Sequence, residues 1–195
     1  MPWLDEVGYY LRGVWLLLLG RLEGLNWLDF SQRGFWRSWW SVAFCLPPMM
    51  LEWAGLRIYY LATMPPGVSA GPSFIIRLAI VALASWLLPY LVLAAVMVAS
   101  GYVNRILPMI VAINWLSIPM QWLGIVVSLA LIFDPLDAGL YGSLMRLLLM
   151  VSAAAHFLVI RQITDRKLLP AAAFLLTLIV ANLWSATTIS DFLGL

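Results

Sequence analysis

Residues 74–99 read FIIRLAIVALASWLLPYLVLAAVMVA, an almost wholly apolar run whose single charge, Arg77, stands near its start. Coiled as an α-helix at about 1.5 Å per residue, the run is about 39 Å long, more than the roughly 30 Å of a bilayer's hydrocarbon core. It reads as a membrane span. Four further runs, about 34–61, 108–133, 141–164 and 168–189, are also long enough to cross. Between them lie breaks with turn chemistry: Pro65-Pro66-Gly67 with Gly71-Pro72, Gly101 to Arg105, Asp134-Pro135 to Gly139, and Asp165-Arg166-Lys167. Connections this short make consecutive helices antiparallel neighbours.

The composition points the same way. Hydrophobic residues make up 64% of the chain and charged ones 10%, where a soluble domain carries about a quarter charged. There are 11 Trp, a side chain that collects at the headgroup level. The expected fold is therefore an all-α integral membrane protein, a five-transmembrane-helix bundle (33–195) preceded by an N-terminal interfacial amphipathic helix and linker (1–32). In that first segment Trp3, Leu4, Val7, Tyr10, Leu11, Val14, Trp15 and Leu18 recur at helical spacing, with Asp5, Glu6 and Arg12 opposite. Its wholly apolar part, Val14 to Leu19, is too short to span, so it should lie along the surface. Asp5 and Glu6 stand where a signal peptide would carry positive charge, so the segment is expected to be retained.

Cations orient the bundle, because cytoplasmic loops carry excess Lys and Arg. With five spans, Arg12, Arg21, Arg33, Arg37, Arg105, Arg161, Arg166 and Lys167 fall on the N-terminal side, and Arg57, Arg77 and Arg146 on the other. This places the N-terminus in the cytoplasm and the C-terminus outside, in what is expected to be a bacterial inner membrane. Pro47-Pro48, Pro89 and Pro119 fall inside the first three spans and predict kinks.

Few polar residues enter the spans. Glu52 needs a proton or a partner in hydrocarbon, and Arg146 or Arg77, from other helices, suit it better than Arg57, five positions on. In the third span Asn114, Ser117, Gln121, Gly124 and Ser128 follow at steps of three and four, giving an inward face for interhelical hydrogen bonds or a hydrated path. His156 is the only histidine and lies within the fourth span, where packing is the commoner role and proton relay the rarer. Asn182, Ser185 and Thr177 are interhelical hydrogen-bonding candidates in the last span. Cys45, the one cysteine, is read as packing and leaves no intramolecular disulfide.

Phosphate-cradling GxxxxGK[ST] and GxGxxG motifs, HExxH, a Cys/His zinc set and a GxSxG elbow are all missing from the sequence, and one His cannot supply two haem ligands. No catalytic residue, metal or cofactor is expected. A net charge of +2 with dispersed cations argues against nucleic acid.

The layout resembles a known family. An amphipathic N-terminal segment, five close-set spans with kinking prolines, and Gly101-Tyr102 shortly before Pro108 resemble the Yip-type membrane proteins. Trp3 to Trp53, with Gly24, Leu28-Asp29-Phe30 and Gly34-Phe35-Trp36-Arg37, is similar to small uncharacterised inner-membrane proteins of alphaproteobacteria. The Asp-Leu-Tyr-Gly-Pro type motif of eukaryotic Yip members is missing. The resemblance implies a non-enzymatic bundle that binds or organises membrane components. The expected function is thus an accessory or assembly subunit, whose partners are the lipid bilayer and other membrane proteins or a second copy of the chain. The alternative is a small transporter or channel using Glu52 and the Asn114–Gln121 stripe.

Overall fold

A computed structural model describes residues 3–63, 70–134 and 138–194. The Pro65-Pro66-Gly67 turn and Pro135 of the turn before the fourth span lie outside them. Helix α1 (Leu4–Leu18) leads through a 3-10 turn (Leu22–Trp27) to α2 (Gln32–Ser38) and α3 (Ser41–Thr63). Helix α4 (Pro72–Ala99) and a second 3-10 turn (Val103–Arg105) precede α5 (Ile106–Leu123) and α6 (Ile125–Phe133), and α7 (Ala138–Ile163) and α8 (Leu168–Leu193) complete the fold. Among the described residues there is no strand.

Four segments are long and apolar enough to cross a membrane: Pro72–Ala99, Val103–Phe133, Gly139–Ile163 and Leu168–Leu193. Their outward faces are apolar as well. On α4, Ile76, Ile80, Leu83, Leu87, Leu91 and Val98 form one exposed stripe at helical spacing. Water would penalise such a surface and hydrocarbon does not, so the chain is an integral membrane protein.

Two expected helices are divided. The run 34–61 breaks at Trp39-Trp40 into α2 and α3, with no Gly or Pro at the break. Trp39 is held there by tertiary packing, its ring edge-on to Tyr90 at 5.7 Å. The run 108–133 bends at Gly124, between α5 and α6.

The expected neighbour order is also changed. Helix α4 packs most extensively on α8, while α3 packs on α5 and α6, and α4 touches its sequence neighbour α5 only sparsely. Two bodies result: the α4–α8 pair, and a group formed by α3, α5 and α6, with α7 packed on α8 as well as on α5 and α6. Within the group, Gly55 lets α3 approach α6, since a Cβ there would sit 3.1 Å from the Ser128 carbonyl. Residues 109–116 of α5 are buried all round, Trp115 and Leu116 included, so this half-helix is the central post of the group and not a helix with one inward face.

Proline explains two interhelical ties. Pro89 has no N–H for the Ser85 carbonyl one turn back, and Asn182 of α8 donates its amide to that oxygen at 3.0 Å. Pro48 likewise frees the Phe44 carbonyl, which accepts from the Trp122 indole at 3.0 Å. In hydrocarbon such oxygens have no water to turn to. Asn182→Leu is therefore expected to destabilise the detergent-solubilised protein by about 1 kcal/mol. In a Pro89→Ala background, where residue 89 can donate to Ser85 again, the same change should cost close to nothing. Equal losses in both backgrounds, read by thermal unfolding, would remove this account.

The N-terminal layer packs across one end of the bundle. Val7, Tyr10, Val14 and Leu17 are buried against protein, while Trp3, Leu4, Trp15 and Leu19 remain exposed. The apolar surface expected to face lipid is thus shared between the two. Tyr10 stacks on Trp115 with ring centroids 4.5 Å apart, and donates to Glu6 at 2.9 Å, which in turn pairs with Arg37. Burial, and then the bond to Glu6, push the Tyr10 phenol up to about 12. At the same end Arg105 pairs with Asp165 at 2.7 Å, and Arg166 donates to the Gly20 carbonyl at 2.9 Å.

Candidate functional site

Asn114 is fully buried on α5 and organises the polar interior. Its Nδ2 donates to the Ser38 hydroxyl at 2.9 Å, and its Oδ1 accepts from the Tyr90 hydroxyl at 2.8 Å and the Trp86 indole at 3.3 Å. Ser38 passes its own proton to the Phe35 carbonyl at 2.8 Å, and Ser117 donates to the Asn114 carbonyl at 2.6 Å. One amide thereby ties α2, α4 and α5, and is the main polar tie across the two bodies near the α1 end.

Glu52 meets an amide and not a cation. Gln121 donates its Nε2 to the Glu52 carboxylate at 2.9 Å. The expected arginine partners are engaged elsewhere: Arg146 with Ser143 at 3.3 Å, Arg77 with the Leu193 carbonyl at 3.0 Å, and Arg57 with the Ala70 carbonyl at 2.7 Å. All three arginines are exposed, at the end of the bundle far from α1. The physical reason is rotation: α3 packs on α5 and α6, which brings Gln121 to Glu52, whereas Arg77 and Arg146 point out of the bundle.

Between the two bodies lies a cavity of about 550 Å3. Its polar lining comes from Ser85, Ser117, Gln121, Ser152, His156 and Asn182. The aromatic side is formed by Trp86 and Tyr90, and Leu, Ile and Met side chains of α7 and α8 supply much of the rest. Neither an acid nor a base other than His156 and the phenol of Tyr90 lines it. His156 and Gln121 thus reach the cavity, Asn114 and Glu52 stand one residue behind it, and Arg146 and Arg77 take no part. A second groove, of about 570 Å3, lies over α1 and the first 3-10 turn, lined by Asp5, Glu6 and Asp29 among others.

The geometry fixes the face His156 offers. Its Nδ1 lies 2.7 Å from the Ser152 carbonyl, an oxygen that can only accept, so Nδ1 is the protonated nitrogen. In the neutral ring Nε2 is then a bare acceptor, and it makes no hydrogen bond to any described residue. Ser85 Oγ is buried and unpartnered as well.

Sequence reading singled out Asn114, Gln121, His156 and Asn182, and did not find Ser38, Ser85, Trp86, Tyr90 or the capping role of Trp122. A signal was present for Ser85 and Trp122, because each proline inside a span marks the carbonyl four residues earlier as needing a donor. Among the described residues no three His, Cys, Asp or Glu side chains gather as a metal site would need. No family model, curated protein or solved structure matches the chain.

Proposed function

We propose that this chain is a non-catalytic, five-span protein of a bacterial inner membrane that binds a small molecule between its two helix bodies, in the manner of a small carrier. The observation that supports this reading is the cavity: it lies within the spans, mixes apolar walls with separated polar atoms, and has a volume typical of small-molecule sites. Helix α4 meets α3 and α5 only sparsely beside this site while α7 joins the two sides, an arrangement that a rocking carrier can use. Helix α3 is the fifth span, at about 34 Å for its 23 residues. In this reading helix α1 lies in the interface, with Trp3, Leu4, Trp15 and Leu19 toward lipid, and the eight cations at its end of the bundle support a cytoplasmic location for that end. A Yip-type kinship fits such a non-enzymatic bundle.

Ala153 lines the cavity, so Ala153→Trp fills it. Native mass spectrometry of the protein released from mild detergent should show a retained small adduct in the wild type and none in Ala153→Trp. Identical spectra for the two would sink the proposal. A stoichiometric protein partner co-purifying with both forms would instead favour the accessory-subunit reading.

A further inference from the structure

The hydrogen-bonding balance of the cavity specifies what it takes. Part of its donor set is committed: Trp86 and Tyr90 to Asn114, one N–H of Asn182 to the Ser85 carbonyl, one N–H of Gln121 to Glu52, Ser117 to the Asn114 carbonyl, and His156 Nδ1 to Ser152, which leaves the second N–H of each amide and the Ser85 and Ser152 hydroxyl protons. The polar atoms without a bond to any described residue are His156 Nε2, Asn182 Oδ1 and Gln121 Oε1, with the buried Ser85 hydroxyl beside them. The first three can only accept when the imidazole is neutral. In hydrocarbon an acceptor without a donor is costly, so an occupant with an O–H satisfies His156 Nε2, and its oxygen can in turn accept from the buried, unpartnered Ser85 hydroxyl.

Charge and shape narrow the class. With no Arg or Lys on the wall, a carboxylate or phosphate would be buried without a counter-charge. With no carboxylate on the wall, an ammonium is equally unmatched, since Glu52 stands behind Gln121 and is engaged by it. The indole and phenol of Trp86 and Tyr90, their polar atoms turned to Asn114, offer the cavity their carbon surfaces, and Leu149, Met150, Leu178 and Leu183 extend that surface.

Building on the small-molecule reading above, we infer that the occupant is a neutral lipid alcohol, an apolar chain or ring system whose hydroxyl donates to His156 Nε2. The Ser85 hydroxyl donates to the alcohol's own oxygen, and Asn182 Oδ1 and Gln121 Oε1 on the same wall accept from a second hydroxyl. Such a molecule partitions into the bilayer and reaches the site from there.

Four probes test this: a hexadecanol with a mid-chain diazirine, and its methyl ether, carboxylate and primary amine, each photolysed with the protein in phosphatidylcholine vesicles. Labelled residues are then mapped by mass spectrometry. The alcohol should label buried cavity residues such as Ile113 and Leu178 about tenfold more than the ether does, as a decade of affinity for one well-placed hydrogen bond implies. His156→Phe should lower the alcohol's yield about tenfold and leave the ether's unchanged, and the ether arm reports at the same time that the cavity is still folded. Equal labelling by alcohol and ether, or stronger labelling by the carboxylate or amine, overturns the ligand class while leaving a binding site in place. If no probe labels the cavity above the lipid-facing Leu91 and Leu147, the small-molecule reading falls with it.

Discussion

Replacing Asn114 with Leu is expected to destabilise the bundle by about 2–4 kcal/mol and to loosen α4 from α5. Leucine fills a similar volume, so the effect is one of polarity. Tyr90 OH and Trp86 Nε1 lose their acceptor at once, and each buried orphan costs about 1–3 kcal/mol in proteins generally. Interhelical bonds measured inside membranes average about 0.6 kcal/mol, because the unfolded helices find other partners, which holds the sum to the lower part of the additive range. Ser38 is spared, since its own proton still reaches the Phe35 carbonyl. The check is unfolding of the purified protein in mixed detergent micelles, with Tyr90→Phe as the control. That change should cost about 1 kcal/mol in the wild type and restore about 1 kcal/mol in Asn114→Leu, because there it removes the orphaned hydroxyl. Additive losses would mean that Asn114 matters through packing and not through its amide.

The network also explains how a cavity can persist where α4 meets α3 and α5 only sparsely. Near α1 the cleft is closed by Asn114 with Tyr90 and Trp86, and by Tyr102 edge-on to Phe174 at 5.3 Å. Farther along, α3 approaches α4 through Arg57 on the Ala70 carbonyl and Tyr60 beside Phe74 at 4.9 Å. The stretch between, where Asn182, Gln121 and His156 face one another's helices, lacks a comparable filling side chain. The side chains that could fill it are committed elsewhere: Trp115 to Tyr10, Trp122 to the Phe44 carbonyl.

How much of this was legible follows from where the information resides. The last three spans and the second lie close to their expected bounds because a long apolar run can be satisfied only by a membrane-length helix. The break at Trp39-Trp40 is different: no local residue demands it, and it exists because Trp39 packs on Tyr90, a residue of another helix. Asn114 was readable as an inward polar residue from its spacing, but its partners were not, since choosing Tyr90 over any other donor requires the rotation of α4. Glu52 shows the same limit more sharply. Charge complementarity argued for an arginine, yet the helix that packs on α3 presents Gln121 there. Pairing α4 with α8 joins the second and last spans, and the short loops that set neighbour order elsewhere carry no trace of it.

The N-terminal layer depends on a backbone contact that only glycine allows, and Gly24→Ala is expected to cost about 2–4 kcal/mol there while leaving the spans intact. A Cβ on Gly24 would lie 2.8 Å from Leu17 Cγ and 2.9 Å from Leu17 N, and would press into the Gly13 carbonyl. On the facing side, a Cβ on Gly13 would fall 2.7 Å from Trp27 Cβ and 3.0 Å from the Gly24 carbonyl. These obstacles are largely helix backbone, which cannot give way as a flexible side chain would. The 3-10 turn must therefore lift from α1, taking with it the Arg12 guanidinium now seated 4.5 Å over the Trp27 ring. Because α1 keeps its own buried face of Val7, Tyr10, Val14 and Leu17, the loss should be local. Hydrogen exchange in vesicles should show faster deuterium uptake across residues 13–28 and unchanged uptake in α4 and α8. Gly8→Ala is the matched control: nothing lies within 4 Å of a Cβ there, so it should be neutral or gain up to about 1 kcal/mol from helix propensity. If the two alanines behave alike, the close approach of Gly13 and Gly24 is not what holds the layer together.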